Sequence, residues 1–336
     1  MIFKKEIDKQ KELFKNELEK SKKILLVNHR RMDWDCFWSL CAFYYILKEI
    51  WSFEVKAINE DTTPEAFSFL TKEEIFETDL DLYEYNPDLI ISFDVADIKQ
   101  LWKVYDNFDY LFEEKTFVSI DHHISNPFFW DINIIDTSAS STCEIVYDII
   151  KDFWYKKYLN SFISTFLLTW IITDTNSFFN TNSTAKSLEV AWELMKYNPK
   201  HQDIIINLFK KKSFWKLKLW GKILESLKDV KNSKIVWNTV PLSYFLQTNT
   251  THNDISWVID EFLTTIDTAE VVFVLYELEK NKIKWSFRAK SDRIDLSNFC
   301  SQFWWWWHKR ASWFLIEWKN LYEVEQEVIE KLKILF

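Results

Sequence analysis

The chain has 336 residues and a mass of 40.9 kDa, with 48% hydrophobic residues and 42 Lys plus Arg against 51 Asp plus Glu, a net charge of −9. That length leaves room for two domains with their own cores, and the acidic balance excludes an electrostatic grip on long duplex nucleic acid, where clustered positive charge dominates affinity. Cys36, Cys41, Cys143 and Cys300 form no CxxC pair, no signal peptide is visible in the charged amphipathic start, and no run of about 18 apolar residues is present to span a membrane; the expectation is a cytoplasmic protein with reduced thiols.

Residues 3–20 pattern as an amphipathic helix, and Ile24-Leu25-Leu26-Val27 as a buried strand. A helix over 37–50 follows, then strands over 53–58 and 89–93. The strand Phe117-Val118-Ser119-Ile120 delivers Asp121 to its carboxyl end. Helices over about 140–157 and 159–172 lead to Asp174, and 184–229 reads as a helical connector carrying Lys210-Lys211-Lys212. The βα alternation predicts an α/β fold with a mostly parallel sheet and helices on both faces. Ligands then bind beyond the carboxyl ends of the strands. A second, smaller α/β domain begins near Ile235-Val236. It has a helix over 255–265, strands over 271–275 and 283–290 joined as a hairpin at Lys280-Asn281-Lys282, a helix over 296–303, and a closing helix over 321–335. The expected division is 1–183, a connector over 184–229, and 230–336, with a cleft between the two domains.

One feature of the composition is anomalous. The chain has 1 glycine and 19 tryptophans, whereas about 7% glycine, roughly two dozen residues, is ordinary. Tight turns and positive φ favour a residue without Cβ, and Gly221 alone cannot supply them. Four consecutive tryptophans, Trp304 to Trp307, have no ordinary structural use. Reading all 19 as glycine brings the total to 20, as expected of a genome that decodes UGA as glycine and has been translated with UGA as tryptophan. A structure of the literal sequence should then place many tryptophans in left-handed backbone or exposed turns.

With that substitution, residues 304–313 read Gly-Gly-Gly-Gly-His-Lys-Arg-Ala-Ser-Gly, and the segment resembles the GGGH signature of the DHH-associated domain. Asp121-His122-His123, after its apolar run, resembles the name-giving motif of the DHH-family phosphoesterases. Three further matches keep the family's order: His29-Arg30-Arg31-Met32-Asp33-Trp34-Asp35, Ser92-Phe93-Asp94, and the stretch from Trp170 through Asp174 to Phe178. The resemblance covers roughly residues 20–320. Alone, any of these acids would more often cap a helix or turn, and any of these histidines would be structural. His201 and His252 match nothing and are left structural.

The resemblance implies that His29, Asp33 and Asp94 hold one metal and that Asp35, Asp94, His122 and Asp174 hold a second, with Asp94 bridging. Four carboxylates and two imidazoles without cysteine suit Mn²⁺, with Mg²⁺, Fe²⁺ or Co²⁺ as alternatives, and two such ions support displacement at phosphorus. Asp94, His122 and His123 are the expected catalytic residues. By resemblance, His123 touches the substrate phosphate and Asp121 orients an imidazole. Substrate contacts are expected from Ser286 and Arg288 on the hairpin, from the backbone of Trp305, Trp306 and Trp307, and from His308.

Length and layout resemble the branch of oligoribonucleases that also act as 3′-phosphoadenosine 5′-phosphate phosphatases. The expectation is therefore a two-metal phosphodiesterase acting on short RNA or linear dinucleotides such as pApA, with no long duplex and no membrane as partner; homodimerisation is left open. The alternative is a non-catalytic nucleotide-binding protein. It follows if the tryptophans are genuine, because indoles at Trp34 and 304–307 would crowd the metal cleft and fill the substrate pocket.

Overall fold

The computed structural model describes residues 2–29, 32–50, 52–60, 62–63, 69–71, 74–180, 182–255, 258–290, 294–296, 299 and 311–334. Within them the chain forms two units, Met1–Lys210 and Lys211–Phe336. The boundary falls inside the helical stretch 184–229.

The first unit is built on β1 (Lys23–Asn28), β2 (Glu54–Ile58), β3 (Leu89–Phe93), β4 (Thr116–Asp121) and β5 (Ile132–Ile135), ordered β2-β1-β3-β4-β5 and parallel throughout. Successive strand residues point to opposite faces, so the apolar runs are buried twice. Ile24, Leu26, Ile91, Val118 and Ile120 face a core shared with α1 (Ile2–Lys20), α2 (Trp34–Glu49), α6 (Thr142–Asp152) and α7 (Ser161–Asp174). Leu25, Val27, Ile90 and Phe117 face a second core with the short helices α3 (Leu82–Tyr85), α4 (Trp102–Asn107) and α5 (Leu111–Glu114). Fully burying each Leu or Ile contributes ~1.5–3 kcal/mol, which is why uninterrupted apolar runs, not alternating ones, mark these strands. β1 lies between β2 and β3, so consecutive connections run in opposite directions from it. Such a switch point opens a crevice at the carboxyl ends.

The second unit carries a mixed sheet, β10-β9-β8-β7-β6, from β6 (Lys228–Val230), β7 (Ile235–Val240), β8 (Val271–Glu279), β9 (Lys282–Ala289) and β10 (Ala311–Glu317). Only the β7–β8 pair is parallel. The hairpin turns at Asn281, whose φ of 60° is the left-handed conformation asparagine tolerates. One face packs on the closing helix Leu321–Lys333, the other on Phe214–Glu225 and Leu242–Thr248. The helix expected over 255–265 is instead a set of short turns around Val258–Glu261.

Among the described tryptophans, left-handed backbone occurs at two, Trp154 (φ 64°) and Trp318 (φ 73°). Both are strongly exposed, at 80% and 89%, and both fit glycine. The expectation of many such positions is otherwise not met, because several tryptophans lie inside regular elements. Trp38 and Trp170 are buried on α2 and α7, which pack on each other, and the Trp170 indole N–H is buried without a hydrogen-bond acceptor. Trp285 sits opposite Phe314 across β9 and β10. Their ring centroids are 3.1 Å apart, well inside the ~4.5–7 Å of aromatic pairs, so this layer is overfilled by a side chain at 285. The block 304–307 lies outside the described residues.

Candidate active site

The site is assembled at the carboxyl ends of the three adjacent strands β1, β3 and β4, with α2, α6 and α7 closing around it. His29 follows β1. Asp33 is the N-cap of α2, its Oδ1 accepting from the Cys36 N–H at 3.0 Å, and Asp35 lies in the first turn of that helix. Asp94 follows β3 with φ 59°, a left-handed residue that costs ~1–2 kcal/mol and aims its carboxylate across the crevice. Asp121 ends β4, and His122 and His123 follow it.

The distances bring these groups into one cluster. His29 Nε2 lies 3.8 Å from Asp33 Oδ1 and 3.9 Å from Asp94 Oδ2. His122 Nε2 lies 3.6 Å from Asp35 Oδ2 and 3.7 Å from Asp94 Oδ1, and His123 Nδ1 lies 3.4 Å from Asp94 Oδ1. Asp174, at the end of α7, accepts from Asn182 Nδ2 at 2.8 Å, and its charge helps raise the pKa of Asp35. Asp121 is fully buried and its oxygens are occupied: Oδ1 accepts from the His122 and His123 N–H groups at 2.7 and 3.1 Å and faces His123 Nδ1 at 2.8 Å, while Oδ2 accepts from Asn126 Nδ2 at 2.7 Å. Its Oδ1 is fully taken up by the backbone and imidazole of the two histidines, so it acts through the imidazole it holds.

The electrostatics separate the two neighbouring histidines. Burial and then the charge of His123 push His122 down to about 4, so it is neutral at pH 7 with a lone pair on Nε2. Burial also disfavours charge on His123, but the hydrogen bond to Asp121 and the charge of Asp94 outweigh it and raise His123 to about 9. Burial, then the charge of Asp33, pushes Asp94 and Asp174 up to about 7, and burial with the Asp94 charge raises Asp35. Among the described residues no Lys or Arg pairs with Asp35 or Asp94. Carboxylates so crowded and desolvated call for a cation, and the oxygen and imidazole donors fit a divalent metal ion.

Sequence reasoning missed three participants. Cys36 brings its sulfur within 4.8 Å of ligand atoms of His29 and Asp33, so the cluster is not free of cysteine as expected. Thr142 and Asn182 donate to acids of the cluster. In the second unit, Ser286 and Arg288 share one face of β9. The Arg288 guanidinium is not open as the resemblance implied: Nε and Nη2 donate to both oxygens of Asp260 at 2.8 and 3.1 Å. Trp305, Trp306, Trp307 and His308 lie outside the described residues.

Residues 23–173 match the DHH family, N-terminal domain. An uncharacterized protein of Mycoplasma genitalium is 27% identical over 322 residues, 91% of this chain and 90% of that protein. The bifunctional oligoribonuclease and PAP phosphatase NrnA of Bacillus subtilis is 32% identical over 193 residues, 56% of this chain and 58% of that protein. Its Thermus thermophilus counterpart is 25% identical over 219 residues, 64% of this chain and 63% of that protein. The matches to these two oligoribonucleases thus span less than two thirds of their length. Among solved structures, an exopolyphosphatase-related protein from Bacteroides fragilis superposes with a TM-score of 0.85 over 98% of both chains at 20% identity, a likeness of fold.

Proposed function

We propose that the chain, whose residues 23–173 match the DHH family, N-terminal domain, is a metal-dependent hydrolase that cuts short oligoribonucleotides or linear dinucleotides such as pApA into nucleoside 5′-monophosphates, with 3′-phosphoadenosine 5′-phosphate as a further substrate. The observation that carries this reading is the convergence of His29, Asp33, Asp35 and His122 around Asp94 at the carboxyl ends of β1, β3 and β4. His122, neutral at pH 7, is suited to ligate, and His123, protonated at pH 7, is suited to grip a phosphate oxygen. The relatives named for oligoribonuclease and PAP phosphatase activity support the substrate class.

His29, Asp33 and Asp94 would hold one divalent ion and Asp35, Asp94, His122 and Asp174 another, with Mn²⁺ the proposed metal. Bound there, the ions supply Lewis-acid stabilisation of charge at phosphorus. The chain's own residues do the rest. His123 donates a charge-assisted hydrogen bond to a non-bridging phosphate oxygen, and Asp121 keeps that imidazole protonated and oriented. In the second unit, Arg288, with Ser286 and His308, holds the far phosphate of a short substrate, and Arg288 must share its donors with Asp260 to do so. Trp305, Trp306 and Trp307, read as glycine, offer backbone N–H groups to the same end.

The test is a length series of 5′-labelled RNA, from dimer to 24-mer, with pApA and Mn²⁺. Mononucleotides released fastest from the shortest substrates are expected. No AMP from pApA at any Mn²⁺ concentration, or faster cleavage of the 24-mer than of the dimer, overturns the reading.

A further inference from the structure

Thr142, the first residue of α6, is fully buried, yet both of its donors serve acids from other elements. Its hydroxyl donates to Asp94 Oδ1 at 2.9 Å and its N–H to Asp35 Oδ2 at 2.9 Å, and the next N–H, of Cys143, reaches Asp35 Oδ1 at 3.2 Å. These acids lie 48 residues and more away in sequence. We propose that Thr142 is a positioning residue: its hydroxyl fixes the rotation of the Asp94 carboxylate so that the carboxylate can be shared between two ions. The inference rests on the metal-dependent reading above.

Three features of the geometry support it. First, Asp94 itself is left-handed, between β3 and the following turn, and the imidazoles around it, at 3.4–3.9 Å, lie at ion-pair range. Among the described residues the Thr142 hydroxyl makes the one side-chain hydrogen bond to that carboxylate, at 2.9 Å, so removing it frees the carboxylate to rotate about its last torsion. Second, Asp35 and Asp94 repel each other in a desolvated crevice, and the amino end of α6 supplies partial positive charge to both. Third, the helix start is secured independently of the Thr142 side chain. Ser141 Oγ accepts from the Glu144 N–H at 3.2 Å, Ser140 Oγ donates to Glu144 Oε2 at 2.6 Å, and Lys186 Nζ lies 3.0 Å from Glu144 Oε1. Losing the hydroxyl therefore leaves the helix in place.

The decisive comparison is Mn²⁺ binding alone, with no substrate, by calorimetry and by electron paramagnetic resonance of the free ion. Thr142→Val keeps the shape and the backbone donor and removes the hydroxyl. Loss of such an outer hydrogen bond weakens metal affinity ~10–100-fold, and that weakening is expected here, with Thr142→Ser restoring affinity to near wild type. A purely structural role would lower the melting temperature of the metal-free protein and leave Mn²⁺ affinity alone, and that result overturns the proposal. Should the valine variant not fold, Thr142→Ser and Thr142→Ala decide: equal affinities refute the role of the hydroxyl. A wild type that binds no divalent ion refutes the metal-dependent reading itself, whereas tight wild-type binding unchanged in Thr142→Val refutes the Thr142 proposal alone.

Discussion

Replacing Asp121 by asparagine keeps the shape of the side chain and removes the charge that holds His123 protonated. The distance from an ordinary imidazole at 6.5 to about 9 corresponds to ~3 kcal/mol. The His123 side chain is 34% exposed, so solvent screening reduces the usable part to ~1–2 kcal/mol. Asp121→Asn should therefore bring the His123 titration down by roughly one pH unit, closer to neutrality, readable by NMR of the imidazole. Phosphate-containing ligands should then bind about as well as to wild type at pH 6, about twofold more weakly at pH 8 and about fivefold more weakly at pH 9, because only protonated imidazole donates from both nitrogens. The amide also turns a donor toward Asn126 Nδ2, and stability should fall by ~1–3 kcal/mol. An unchanged His123 titration, or equal loss of binding at every one of these pH values, would show that Asp121 does not set the charge of His123.

Other consequences concern the far phosphate, pH and the tryptophans. Arg288→Ala should weaken binding of 5′-phosphorylated dinucleotides ~10–100-fold, the worth of a charge-assisted pair, while hydrolysis of methyl p-nitrophenyl phosphate stays within about twofold; equal losses on both substrates would refute the division of labour. Asp94 and Asp174, raised to about 7, bind protons in the folded metal-free protein that the unfolded chain has released, so stability should fall as pH rises from about 4 to 7. His123 acts in the same direction above pH 6.5 and His122, depressed to about 4, opposes it below. Urea midpoints of metal-free protein should thus be higher at pH 5 than at pH 7.5, with Mn²⁺ cancelling the difference, and a midpoint that climbs with pH contradicts this. Trp154→Gly should raise the melting temperature by relieving ~1 kcal/mol at φ 64°, and Trp285→Gly should cost far less than the ~3–5 kcal/mol of an ordinary core Trp truncation; a full cavity penalty at 285 would count against glycine there.

The first unit was legible because its chemistry sits where the apolar runs stop. Val27 and Asn28 lead to His29, Phe93 to Asp94 and Ile120 to Asp121, and a parallel sheet gathers those ends whatever the intervening sequence. β5 was not legible, since four residues after Pro127 and Trp130 give no periodicity to read. Thr142 and Asn182 were silent for a different reason: their partners are distant in sequence, and a Ser-Ser-Thr helix start reads as an ordinary cap. The pairing of Arg288 with Asp260, 28 residues earlier, likewise has no local signal. β10, Ala311–Glu317, was not read as a strand either.

The central claim is that the acids and histidines of the first unit hold two ions that share Asp94. Crystals of the protein grown with Mn²⁺ and measured at the manganese absorption edge test it directly. The account predicts two anomalous peaks ~3.5–4 Å apart, with His29 and Asp33 on one, Asp35, His122 and Asp174 on the other, and Asp94 between them. A single peak, or ions bound elsewhere with Asp94 touching neither, would contradict it.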